Sequence, residues 1–152
     1  MEETLITMQE WHKKQAVQCF NETWNLIDKT DRTREEDFRM IHMAHASRYH
    51  WREVGTPLHF LRGEWQIARV YALLNLGESA RHHAEYCLAL CLSNNIGDFD
   101  LAFAYEALAR AHDIVGDHAQ KIHYLGLAKE AAEQIAKPED KSYLLSELQS
   151  IS

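Results

Sequence analysis

The sequence predicts an all-α fold of antiparallel helix–turn–helix pairs stacked as a short array, and three observations predict it. Leu76-Gly77-Glu78 closes one helical pattern, and Val115-Gly116-Asp117 closes the next, 39 positions later. Ala68, Ala72 and Ala80 recur in the same register as Ala107, Ala111 and Ala119, and a fixed period of this size marks a helical repeat. No stretch alternates apolar and polar residues as a half-buried strand does. The chain carries only 2 Pro and 6 Gly in 152 residues, so long helices meet few breakers. This length suits a single domain over residues 1–152 with a substantial core.

About seven helices are predicted. The first runs from about Thr7 to Asp28, with Trp11, Phe20, Trp24 and Ile27 as apolar positions. Thr33 and Glu36 have the spacing of a capping box and start the second helix, which runs to about Val54. Gly55-Thr56-Pro57 breaks the chain there, glycine tolerating positive φ and proline favouring a helix start. The third helix spans about Leu58 to Leu76, ended by Gly77, and the fourth about Ser79 to Asn94. After the turn cluster Asn94–Asp98, the fifth spans about Phe99 to Val115. Gly116-Asp117 leads to the sixth, about His118 to Ala136. Pro138 precedes a final helix from about Glu139 to Gln149 that caps the array. The connections are short, so consecutive helices pair antiparallel, over about 7–54, 58–97 and 99–137.

Composition excludes some partners. Against 16 Lys and Arg stand 23 Asp and Glu, a formal net charge of −7. Nucleic acid and anionic membrane both demand a cationic face, so neither is expected as a partner. No apolar run approaches the ~18 residues of a membrane helix, and the N-terminal residues lack the pattern of a leader peptide. Three cysteines, Cys19, Cys87 and Cys91, have no disulfide-framework spacing and suit free thiols, so a cytoplasmic location is expected.

The segments Arg62–Gly97 and Leu101–Asp140 resemble tetratricopeptide repeats. The likeness rests on small residues where paired helices approach: Ala80, Ala84 and Cys87 in the first unit, Ala109 and Ala128 in the second. It rests also on the glycine turns and on Pro138 near the repeat end. Lys121 stands where such repeats have a small residue, and the period exceeds their usual ~34 residues. The resemblance implies a right-handed superhelix with a concave groove that binds an extended peptide or a partner helix. It implies a non-catalytic scaffold or adaptor with a protein or peptide partner and no cofactor. Its uncovered ends suggest a possible homodimer.

Ten histidines are an unusual number for this length. On the second helix Phe38, Ile41, His42, His45, Arg48, Tyr49 and Arg52 share one face. Met40, Met43, Ala44, Ser47, Trp51 and Val54 share the other, which reads as a core seam. The first face mixes imidazole, phenol and guanidinium, the chemistry of an interface. His45, Arg48, Tyr49 and Arg52, joined by Tyr105 and His112 from the fifth helix, are therefore the expected partner-binding residues. An alternative is a metal- or small-ligand-binding protein, with enzymatic activity open. His42 and His45 at i and i+3 would then take a transition metal such as zinc, iron or nickel, completed by Glu64 and Glu106. His83, Cys87 and Cys91 also share a face, but eight helical residues span about 12 Å, too far for one ion. Small residues there serve close packing. No Gly-x-Ser-x-Gly, phosphate-binding Gly-rich loop or His-Glu-x-x-His occurs in the chain.

Overall fold

Side-chain caps start the first, second and sixth helices, and prolines open the third and seventh. The computed structural model describes residues 5–151. Helix α1 (Met8–Ile27) starts at Thr7, whose hydroxyl accepts from the Glu10 backbone N–H at 3.0 Å. Helix α2 (Arg34–Val54) starts at the expected capping box. Thr33 Oγ1 accepts from Glu36 N at 3.1 Å, and Glu36 Oε1 accepts from Thr33 N at 3.0 Å. Arg32 ties the intervening loop, donating to the Leu26 carbonyl at 3.1 Å and to Asp37 at 2.8 Å. Helix α3 (Pro57–Leu73) opens on Pro57, where a missing N–H costs nothing. Gly55 before it has φ −93°, so positive φ is not why glycine stands there. A β-carbon at Gly55 would lie 2.7 Å from the Trp51 carbonyl oxygen, so close approach is the reason.

The two glycine turns that look alike in sequence are built differently. Gly116 is left-handed at φ +82° and caps α5 (Asp98–Val115), as glycine does at a helix end. In the other turn Asn75 takes the left-handed conformation, at φ +62°. Gly77 does not end α3 but begins α4 (Gly77–Ser93). It is glycine because α5 closes on it: a β-carbon would lie 2.6 Å from Val115 Cγ1 and 2.8 Å from Ile114 Cγ2. The equivalent positions are thus 41 residues apart, not 39. Helices α3 and α5 begin at Pro57 and Asp98, and α4 and α6 (His118–Ala132) at Gly77 and His118. Helix α6 is shorter than expected, and residues 133–137 connect it to α7 (Pro138–Gln149), again opened by proline.

Among the described residues the chain is all-α, seven helices with no strand. Consecutive helices pack together throughout, and the remaining contacts are α1–α3, α3–α5 and α5–α7. The backbones of α2, α4 and α6 do not approach one another, although His45 of α2 and His83 of α4 meet edge-on at 5.4 Å. The odd-numbered helices therefore form a continuous inner layer, and the even-numbered ones a more widely spaced outer layer. Small residues let the layers close. Ala84, Cys91, Ala102, Ala104, Ala109, Ala128 and Ala132 are all fully buried, and the expected small-residue contacts at Ala109 and Ala128 are among them. Polar staples hold α1 on both sides: the Ser47 hydroxyl of α2 donates to the Ala16 carbonyl at 2.8 Å, and Gln66 Nε2 of α3 to the Phe20 carbonyl at 3.0 Å. No helix of the described residues is long and apolar enough to cross a membrane.

Candidate functional site

The inner layer carries a groove of about 420 Å³ between α1, α3, α5 and α7. Each helix lines it with residues three or four apart, a single stripe of its surface. Phe20 and Trp24 come from α1, Leu61 and Trp65 from α3, Phe99 and Phe103 from α5, and Asp140 and Tyr143 from α7. The aromatic rings form one connected wall. Trp24 stacks on Trp65 at 5.8 Å between centroids and 27° between planes. Trp65 meets Phe103 edge-on at 5.7 Å and 86°, and Phe103 meets Phe99 at 4.5 Å and Tyr143 at 5.4 Å. Edge-on and tilted contacts of this kind align ring quadrupoles favourably.

Polar groups hold the wall from behind and from its rim. The Trp65 indole N–H donates to Glu106 at 3.2 Å. Glu106 is buried and also accepts from Arg110 Nε at 2.9 Å. Arg110 in turn donates to the Glu147 carboxylate and carbonyl, both at 3.2 Å, and to Ser150 Oγ at 2.9 Å. Burial raises the Glu106 carboxyl above its ordinary range, with the Arg110 and Arg69 charges opposing. At the rim Arg62 donates twice to Asp100, at 2.9 and 3.1 Å, a bidentate pair that neutralises both charges. The Asp140 carboxylate has no ion-pair partner among the described residues, although it lines the groove. Cys87 also lines it. Its thiol is pushed well above its ordinary value by a hydrogen bond with Cys91 and by burial, so it stays protonated and non-nucleophilic at neutral pH.

None of the six residues expected to bind a partner lines this groove. The face of α2 that appears single in sequence divides in two. His45 and Arg48 turn toward α3 and α4, whereas His42, Tyr49 and Arg52 are exposed. Arg48 Nε and His83 Nδ1 both reach the buried Glu64 carboxylate, each at 2.7 Å. Burial alone would raise the Glu64 carboxyl, but the hydrogen bonds from His83 and Arg48 outweigh it and hold it below the ordinary value. His45 Nε2 shares a 3.0 Å hydrogen bond with the Tyr71 hydroxyl. Burial lowers the His45 pKa first, followed by the His83 and His42 charges, with Glu64 opposing. Tyr49 and His50 lie by α1, where His50 and His12 share a hydrogen between their Nδ1 atoms at 2.9 Å.

Tyr105 and His112 face α6 instead of the groove. His112 is buried and stacks on Tyr124 at 5.5 Å and 9°, and Tyr105 stacks on the same ring at 6.3 Å. At the 41-residue offset Tyr71 and His83 occupy the corresponding places and stack at 5.7 Å and 24°. The same aromatic joint thus recurs with the two residue types exchanged.

The expected metal set is not assembled. His42 stands exposed beside Phe38, Glu64 is taken by Arg48 and His83, and Glu106 belongs to the separate Trp65–Arg110 network. Among the described residues no three His, Cys, Asp or Glu side chains converge on a metal position. Cys19, Cys87 and Cys91 are free thiols.

Of the groove residues, Phe20 and Trp24 stand out in the sequence, as apolar positions of the first helix. The signal for a surface was the repetition of large apolar pairs at i and i+4 on the first helix of each pair: Phe20 with Trp24, Leu61 with Trp65, and Phe99 with Phe103. Compared with protein-family models, with curated proteins and with solved structures, the chain matches none.

Proposed function

We propose that this chain is a non-catalytic binding module of tetratricopeptide-like design that holds a protein or peptide segment in its inner-layer groove. The observation that carries this reading is the connected aromatic wall around about 420 Å³ of open space. Large aromatic surfaces left partly uncovered are where binding energy concentrates. The 41-residue offset between helix pairs and the contact of odd helices with one another support the repeat-like design. The titratable groups lining the groove are an ion-paired Arg62–Asp100, Asp140, Tyr143 and a protonated thiol, a set suited to recognition more than to acid–base chemistry.

Selection of phage-displayed random dodecapeptides on the full chain tests the reading. Recovered peptides should bind at least tenfold more weakly to Trp24→Ala, with helical circular dichroism retained, and equally well to Tyr49→Ala and Arg52→Ala. Failure to recover any peptide, or peptides indifferent to Trp24→Ala, would sink the groove. Loss confined to the α2 variants would return the site to the outer layer. The groove volume also falls in the ~300–1,000 Å³ range of small-molecule sites, and tight binding of an apolar small molecule with no peptide recovered would favour that second reading.

A further inference from the structure

We infer that the occupant of this groove is a peptide segment presenting a basic side chain, lysine or arginine, flanked by apolar residues. The aliphatic stem would lie along the Trp24–Trp65 stack and the charged head would reach Asp140. The inference rests on the groove being a peptide site and adds the chemistry of what it takes.

Three features carry it. The wall is aromatic, and ring faces attract cations while accepting the apolar stem of a long basic side chain. The rim charge is unbalanced: Arg62 is consumed bidentately by Asp100, which leaves Asp140 as the one groove-lining charge without an ion-pair partner among the described residues. Lys141, the neighbouring cation on α7, is engaged by Glu133 at 3.2 Å. The surroundings have the same sign. The Tyr143 phenol is pushed up first by burial and then by Glu147, with Glu106 and Asp28 adding and Arg69 opposing. The whole chain has a formal charge of −7, which favours approach of a cationic segment and discourages an acidic one.

The residue composition of the selected dodecapeptides reads the inference directly. Lysine and arginine should be enriched over aspartate and glutamate, with a basic residue next to an aromatic or aliphatic one. The tightest such peptide should lose roughly three- to fivefold in affinity on Asp140→Asn and more on replacement of its basic residue by norleucine. The two losses should not add, because they remove one contact. Raising salt should weaken wild type more than Asp140→Asn. Tyr143→Ala is a second variant at an exposed position of the wall and should weaken binding of both the basic and the norleucine peptide. Groove-dependent peptides that are acidic or purely apolar, or that are indifferent to Asp140→Asn, would overturn this inference and leave the peptide site standing. Recovery of no groove-dependent peptide would overturn both.

Discussion

A β-carbon on Gly63 would lie 2.8 Å from Arg48 Cδ, and that contact explains how Arg48 reaches the interior. The arginine stem crosses α3 over Gly63, its guanidinium lies 4.7 Å from the Phe60 ring centre, and its Nε ends on Glu64. Helix propensity alone would make Gly63→Ala stabilising by about 1 kcal/mol. Displacing Arg48 leaves a buried carboxylate short of a partner, which costs about 3–5 kcal/mol when a buried pair is broken outright. The expected net result is a loss of about 1–3 kcal/mol in urea unfolding, with the sign reversed in an Arg48→Ala background. An unconditional gain would mean that the crossing is not tight. The same cluster sets an acid response. The His45 pKa is lowered from 6.5, so the unfolded chain binds the proton more readily. His45 therefore destabilises the fold as pH falls through about 6.5 toward its own lower value. Glu64, lowered from 4.5, contributes stability that is present above that value and lost further down the acid limb. Thermal melts from pH 7 to 5 should show a falling melting temperature that His45→Gln flattens, and Glu64→Gln should leave this upper step in place. His50 and His59, also lowered chiefly by burial, give the decline that remains in His45→Gln.

At the scale of elements, helix starts were more legible than helix ends. Thr33 with Glu36, Pro57 and Pro138 mark starts because each acts through local geometry: a capping oxygen or a fixed φ. The two glycine turns misled because identical letters answered different physical needs. Gly116 answers a backbone need, a left-handed cap with nothing within 4 Å of an added β-carbon. Gly77 answers a packing need that exists only once α5 has folded back against α4. These two origins predict different behaviour. Gly116→Ala should cost about 1 kcal/mol, and trimming its neighbours should not relieve the loss. Gly77→Ala should be destabilising in the wild-type chain and substantially rescued by Ile114→Ala with Val115→Ala, a coupling measurable in a double-mutant cycle. A glycine's partner in a distant helix leaves no trace in the adjacent residues, which is why the spacing reads as 39 in the sequence although the paired helix starts stand 41 apart.

At the scale of the molecule, the arrangement of layers decides which residues line the open groove and which are packed against one another. The polar residues of α2 resemble a site in the sequence because charge and imidazole on one helix face suggest function. Sequence cannot say which polar groups satisfy one another, and His45, Arg48, Glu64, Tyr71 and His83 largely do. The aromatic stripe is hard to tell from core in the sequence for the converse reason: apolar residues at i and i+4 look the same whether a neighbouring helix covers them or not. What leaves this stripe open is that α1, α3, α5 and α7 form one layer with no further helix across it among the described residues. Helix α7 is the element on which this turns. It supplies Tyr143 and Asp140 to the groove, buries Leu144 and Leu148 against α5, and holds Arg110 through Glu147. Removing it would uncover Phe103 and Ala109 and leave Glu106 and Arg110 without their outer support. A chain ending at Lys137 should therefore lose more than the ~1.5–3 kcal/mol of a single buried leucine, with a broadened urea transition and altered fluorescence from Trp65, whose indole is the far end of the same chain of contacts. The substitution Glu147→Gln tests that relay while keeping the helix. It should lower the unfolding midpoint modestly and weaken peptide capture less than Tyr143→Ala does, because it loosens the support of the wall without removing any of its surface. Equal weakening by the two variants would instead make the relay as important to the groove as the aromatic contact itself.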